Sequence, residues 1–375
     1  MKRKWLAVGI NLLFVGTCII PTIAQDTEKP FPASRGNWLY VGGDGPANYT
    51  RIQAAIDNSS DGDTIFVYDD LSPYREHLII TKSVIITGEN KDTTEIYGTG
   101  DKKNLIVIKS SYVTIRDFAI KYGSDYFTGI LIKDSSYITI LECKFSDIPS
   151  MDAITVNNSE NITIANCLMS DSTGKDKSNL ADKYISGITL ESGCINTTIS
   201  GNTISNAAYA GIIVLKGCRK TNIFSNLIFS NDIFGIAVQG SESIDIRENA
   251  ILDNPNVGIS IVNCDNTIIF ENSCKNNGFA PIGIEDTMNT YVGCNNFIQN
   301  GMLGLFCFNY GKEFSNHYPN NIWEGNYWGR FRIFSKPILG VITFTMDTQV
   351  PTIFIPWFMF DWHPAQEPYD IPEMS

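Results

Sequence analysis

The sequence predicts an all-β fold, a single-stranded right-handed parallel β-helix with an N-terminal capping helix and a C-terminal aromatic β tail. Three observations predict it. First, a short phrase recurs with a period of roughly 24 residues, the mark of a solenoid. It reads "GILIKDSSYITILEC" from Gly129, "GIIVLKGCRKTNIFSN" from Gly211 and "GISIVNCDNTIIFEN" from Gly258. Second, apolar residues alternate within each phrase, as Ile130 and Ile132 do around Leu131. A period of two belongs to strands, and Ile, Val and Thr favour them. Third, a polar column follows an aliphatic one at a constant offset. Ile140, Ile164, Ile199, Ile223, Ile246, Ile269 and Val292 are each followed three positions later by Cys143, Cys167, Asn202, Asn226, Asn249, Asn272 and Asn295.

The openings of the phrase fall at Gly129, Ala153, Gly187, Gly211, Gly235, Gly258, Gly283 and Gly304. Both registers place one insertion of about ten residues before Gly187, over the polar stretch Gly174 to Tyr184, a surface loop of the kind solenoids tolerate. Two or three strands per unit, turning at Asn, Asp, Ser and Gly, make one coil. Stacked coils lie ~4.8 Å apart, so equivalent residues form ladders. An inward Asn at a turn can bond the next Asn and the turn backbone. The hand follows from the parallel-crossover rule.

In chain order, residues 1–24 read as a signal peptide: Lys2, Arg3 and Lys4, an apolar stretch, then Thr22-Ile23-Ala24. The rival is an uncleaved membrane anchor. Residues 25–37 form a polar linker. Residues 38–329 form the β-helix with its cap. Within the cap, Tyr49 to Asn58 carries Ile52, Ala55 and Ile56 on one helical face, suited to plugging an open solenoid end. Arg51 and Asp61 at that end read as capping residues. Residues 330–375 form a tail. Its strands, Leu339 to Met346 and Thr352 to Phe360, cover the last coil, and Trp357 and Trp362 are candidates for stacking on a sugar ring.

The phrase "GIxVxxSxxxTIxxN" resembles the repeat of the NosD-type and carbohydrate-binding/sugar-hydrolase (CASH) families, over roughly Trp38 to Trp328. The resemblance implies a right-handed parallel β-helix, and the N-terminal stretch implies a secreted or cell-surface protein. Lyases, hydrolases, adhesins and binding proteins share that fold. The copper-binding label of the resembled family finds no support, because His77, His317 and His363 are widely separated. No metal or other cofactor is expected. Calcium at turn carboxylates such as Asp147 and Asp171 lacks a dense Asp-x-Asp phrase.

The net charge of −12 over 375 residues disfavours a nucleic-acid partner and, without bridging cations, an anionic polysaccharide. The expected partner is a polysaccharide or cell-surface glycan. Membrane contact would come only through an uncleaved N-terminal segment, and the residues carry no signal for oligomeric state. The catalytic phrases of the pectin hydrolases are missing; Asp69-Asp70 lies near the cap without its companions. The reading is therefore non-catalytic binding, with a polysaccharide lyase or glycoside hydrolase, or a structural surface component, as alternatives. One carboxylate pair stands out. Glu248 and Glu271 share an offset, with Arg247 beside the first, so they should stack in adjacent coils about 5 Å apart. Like charges that close raise one pKa, which would make an acid/base pair. Cys194 and Cys218 also share an offset and are a candidate disulfide, on coil spacing within bridging range.

Overall fold

The computed structural model describes residues 36–98, 104–122, 128–146, 152–170, 185–301, 305–310, 320–330, 334–344 and 353–371. They form a right-handed parallel β-helix of about 10 turns with one short helix. The predicted signal peptide, most of the linker, the insertion before Gly187, Asp147, Asp171 and His317 lie outside the described residues.

One coil shows the plan. Ala210–Val214 lies on a first face, Arg219–Phe224 on a second and Leu227–Phe229 on a third. Each strand pairs in parallel with its equivalent in the next coil, Ile212 with Ile236, Ile223 with Ile246 and Ile228 with Ile251. These isoleucines are fully buried, so every coil fills its interior with one branched side chain above another. The predicted aliphatic column is in register from Ile140 to Val292 and extends upstream through Ile115 and Ile86 to Ile65.

The recurring glycine has a steric cause. A Cβ on Gly187, Gly211 or Gly235 would lie 2.4 to 2.5 Å from Cγ2 of Ile204, Ile228 or Ile251 on the third face. The branched isoleucine and the carbonyl oxygen of the next coil's glycine, at 2.6 to 2.9 Å, together crowd that position. In the coil whose third face holds the unbranched Met169, the opening is Ala153. The predicted opening at Gly283 is corrected. Ile259 pairs with Ile282, so the residue opposite Gly258 is Pro281, and Gly283 pairs with Ser260 two residues further on. In that coil the third face presents Phe297, again unbranched. Gly304 lies outside the described residues.

The polar column is a continuous hydrogen-bond ladder. Asn202 accepts on Oδ1 the Cys167 N–H, and Asn226, Asn249, Asn272, Asn295 and Asn326 each accept both the backbone N–H and the Nδ2 of the preceding Asn. Asp361 of the C-terminal tail closes it, accepting from the backbone of Gly325 and Asn326, from Asn326 Nδ2 and from Trp328 Nε1. A second ladder, absent from the sequence reading, runs through Asn231, Asn254, Asn277 and Asn300 at the corner between the third and first faces.

The helix Ile52–Asn58 buries Ile52, Ala55 and Ile56 as predicted. Its first N–H groups are satisfied by the Glu76 carboxylate, which accepts from Ile52 and Gln53 at 2.8 and 3.1 Å. At the other end the tail forms the antiparallel pair Lys336–Phe344 and Ile353–Asp361, each strand shifted slightly from the predicted bounds.

Gly211→Ala should destabilise the protein by about 1–3 kcal/mol through overpacking. Adding Ile228→Met, which reproduces the Ala153–Met169 arrangement, should recover much of the loss; chemical denaturation of the four-member cycle measures it. Asn249→Leu should cost at least about 2 kcal/mol, because it strips buried N–H and C=O groups of partners. An unchanged denaturation midpoint would remove the ladder from the account of stability.

Candidate functional site

On the second face, outward residues also stand in columns. One holds Phe224, Arg247, Phe270 and Gly293; its neighbour holds Asn222, Asp245, Ile268 and Tyr291. The Tyr291 ring folds flat over Gly293, since a Cβ there would lie 2.4 Å from its Cε1. Tyr291 stacks on Phe270 at 6.4 Å and 29°. The Arg247 guanidinium sits 5.8 Å from the Phe270 ring centroid and is bonded through Nε to Asp245. Three adjacent coils thus present a ring, a second ring and a planar cation in succession.

The interior holds this platform in place. Nδ2 of Asn226, Asn249, Asn272 and Asn295 donates to the carbonyl oxygens of Phe224, Arg247, Phe270 and Gly293, at 2.8 to 3.2 Å. Each platform residue is therefore pinned two positions from a ladder rung, and the ladder sets the spacing of the surface groups.

The predicted carboxylates flank the platform at the bend after each strand. Glu248 and Glu271 are consecutive along this bend, their backbone N–H groups donating to Phe270 and Gly293. Burial, and then the Glu248 charge, push the Glu271 carboxyl above its usual range, while Arg247 opposes the shift. Ser225 donates to Glu248 at 3.3 Å. Glu248, Glu271 and Arg247 are thus brought together as expected. The aromatic members escaped the sequence reading, because an outward Phe beside an inward Ile looks like ordinary strand alternation. The signal was Phe224 and Phe270 one residue after column isoleucines, two coils apart.

Trp357 and Trp362 belong to a separate element, the terminal hairpin. They are 45% and 65% exposed, and Trp362 packs against Phe360 at 4.9 Å. Cys194 and Cys218 are neighbours at equivalent bends, both buried and both free thiols. Cys194 Sγ donates to Glu191 O at 3.1 Å. His77 faces the Asn104 carbonyl and His363 faces Glu324. Among the described residues no three His, Cys, Asp or Glu side chains gather as a metal site would require.

One further titratable group lies on the first face. Asp152 accepts the Ser186 N–H at 2.8 Å and the Thr155 hydroxyl at 3.0 Å. Burial outweighs those bonds and pushes its carboxyl up to about 6.

The family model for the right-handed β-helix region matches residues 82–251 and 186–329, more than half of the chain. The chain belongs to the right-handed β-helix family. Among solved structures this β-helix is similar to the Dettilon tailspike protein, at 15% identity and a TM-score of 0.55, over 72% of this chain and 55% of the tailspike. The chain thus spans about half the length of that tailspike. It is also similar to the A-module of a mannuronan C-5 epimerase from Azotobacter vinelandii, at 14% identity and a TM-score of 0.48, over 68% and 86% of the two chains. A DFA-IIIase from Arthrobacter chlorophenolicus aligns at 12% identity and a TM-score of 0.48, over 70% and 84%. At these identities the likeness is one of fold. No curated protein matches the chain.

Because Asp152 titrates at about 6 in the folded β-helix against an ordinary 3.8, the folded form holds its proton more tightly. The stability tied to that proton is complete below pH ~4 and is lost as pH rises through ~6. Asp152→Asn should flatten the stability profile between those values and stabilise the protein at neutral pH by about 1–3 kcal/mol. Denaturation midpoints measured across pH 4 to 7 check it.

Proposed function

We propose that the chain is an exported or cell-surface β-helix protein that binds a neutral polysaccharide on the second face. The platform of Tyr291, Phe270 and Arg247 carries this reading. Clustered, half-exposed aromatic rings are the surfaces on which the C–H faces of a sugar ring pack. Asn222, Asp245, Glu248 and Glu271 around them supply hydrogen-bonding groups for sugar hydroxyls. The single cation of the patch, Arg247, is already bonded to Asp245. A polyuronate would meet uncompensated carboxylates here, on a protein of net charge −12. An uncharged chain meets no such cost. No helix of the described residues is long and apolar enough to cross a membrane.

A second reading rests on Glu248 and Glu271. Retaining glycosidases need two carboxyl groups about 5–5.5 Å apart, one of them with a raised pKa. The adjacent-coil placement of the two side chains and the upward shift of Glu271 support this reading. In that reading Glu271 protonates the leaving oxygen and Glu248 attacks the sugar.

A panel of neutral glucans, galactans and mannans beside alginate and polygalacturonate tests both readings. Neutral polymers should bind and polyuronates should not. Phe270→Ala and Tyr291→Ala should each weaken binding about tenfold, the value of one aromatic stack. Release of reducing ends that stops in Glu271→Gln would establish the hydrolase reading; binding without release would leave the lectin-like one. Polyuronates binding as well as neutral polymers would sink the proposed substrate class.

A further inference from the structure

The outward column of the platform does not end at Phe224. Register carries it upstream through Ser200, Ala165, Leu141, Arg116 and Thr87 to Phe66 and Tyr40. At that end a second aromatic floor stands on the same face. Trp38 stacks on Tyr40 at 6.3 Å and 26°, and Tyr40 stacks on Tyr68 at 6.2 Å and 26°. Trp38 is 57% exposed.

This second floor is built in the same way as the first. A Cβ at Gly43 would lie 2.8 Å from the Tyr68 ring, so a tyrosine again lies over a glycine. Gly42 and Gly43 have φ of 77° and 69°, and the turn they make is tied by Asp70, which accepts the Gly43 N–H at 2.9 Å. Asp69 and Asp70 next to Tyr68 give the floor a polar edge, as Asp245 and Glu248 do for the other.

Between the floors the column carries Arg116 and Leu141, and the exposed Tyr137 of the same face stacks on Tyr112 at 4.7 Å and 5°. The neighbouring outward column holds Thr114, Thr139, Thr163 and Thr198 in register, four short hydroxyl side chains on consecutive coils. Eight coil steps separate Phe66, in the coil of Tyr68, from Phe270, a span of about 38 Å along the axis. An extended glycan laid across the strands would meet a stacking surface, a row of hydroxyls and a second stacking surface.

We infer that Trp38, Tyr40 and Tyr68 form a second glycan subsite, and that one extended neutral polysaccharide chain runs along the second face and is held at both ends. This rests on the function proposed above. Linked subsites raise the affinity of a chain long enough to span them, without any change for a shorter one.

The experiment compares long soluble glucan, galactan and mannan chains with short oligosaccharides of the same sugars. It uses the full chain, Trp38→Ala, Tyr40→Ala and Phe270→Ala, with far-ultraviolet circular dichroism to verify folding. Long chains should bind wild type about a hundredfold more tightly than short ones. Either N-terminal variant should reduce that advantage to within about tenfold, while leaving short oligosaccharides bound at the Phe270 platform unaffected. Long-chain affinity unchanged in Trp38→Ala and Tyr40→Ala, with Phe270→Ala impaired, overturns the second subsite alone. Binding of none of the polymers overturns both readings. Sedimentation analysis adds one outcome: dimers of wild type that dissociate in Trp38→Ala would assign the floor to a second copy of the chain and overturn the inference.

Discussion

A polar ladder through an apolar interior governs this molecule. Every coil must turn, and each turn leaves backbone groups facing inward, where an unpaired one costs about 1–3 kcal/mol. Asparagine meets the need because one side chain both donates and accepts. Asn249 shows the full set: Nδ2 serves the carbonyls of Ile223 and Arg247 and the next rung, and Oδ1 receives the previous one. The ladder therefore has a direction, with donors pointing toward the C-terminal end. A last rung needs only to accept, and there the chain places a carboxylate. Asp361 receives four N–H groups, with the buried Lys336 as its cross-strand neighbour. The tail is thus the ladder's terminus as well as its cover.

Much of this was legible in the residues. The isoleucine column and the first ladder could be read because both lie at a fixed offset inside strands of constant length. Gly283 misled because glycine is ambiguous in sequence. At Gly211 it answers to Ile228, whereas at Gly283 the nearest atom a Cβ would meet is a Val257 methyl at an ordinary 3.7 Å. The true equivalent, Pro281, carries no glycine signature, and the third face of its coil presents Phe297. The second ladder was hidden for a related reason. Asn231, Asn254, Asn277 and Asn300 sit in a corner whose neighbours change from coil to coil, so that repetition of the asparagine alone looked like turn composition.

Half of the site could be read as well. Glu248, Glu271 and Arg247 followed from period and charge. Phe270 and Tyr291 did not, because alternation assigns outward residues to solvent whatever their chemistry. Nor does the sequence announce that Gly293 clears space for a ring two residues away. That is a packing relation visible only when the ring's direction is known.

Non-glycine residues with positive φ often mark strained active sites, which would make backbone conformation a second pointer to function. Glu248 and Glu271 have φ of 53° and 54°. Yet Glu142, Asn166, Gly201, Ser225 and Cys294 occupy the same bend with φ of 52° to 64°. The left-handed residue is the device by which each coil turns just before a ladder rung. It would be there whatever side chain projected from it. The distinction lies in what neighbours the bend: beside Glu248 and Glu271 the second face carries Arg247, Phe270 and Tyr291 on consecutive rungs. Those groups are displayed by a bend and a rung that the fold would need anyway, so the platform is held rigid by contacts that already stabilise the solenoid. Preorganisation of this kind lowers the ordering cost of binding, and it explains how a repetitive scaffold can acquire a surface site by changing only outward residues.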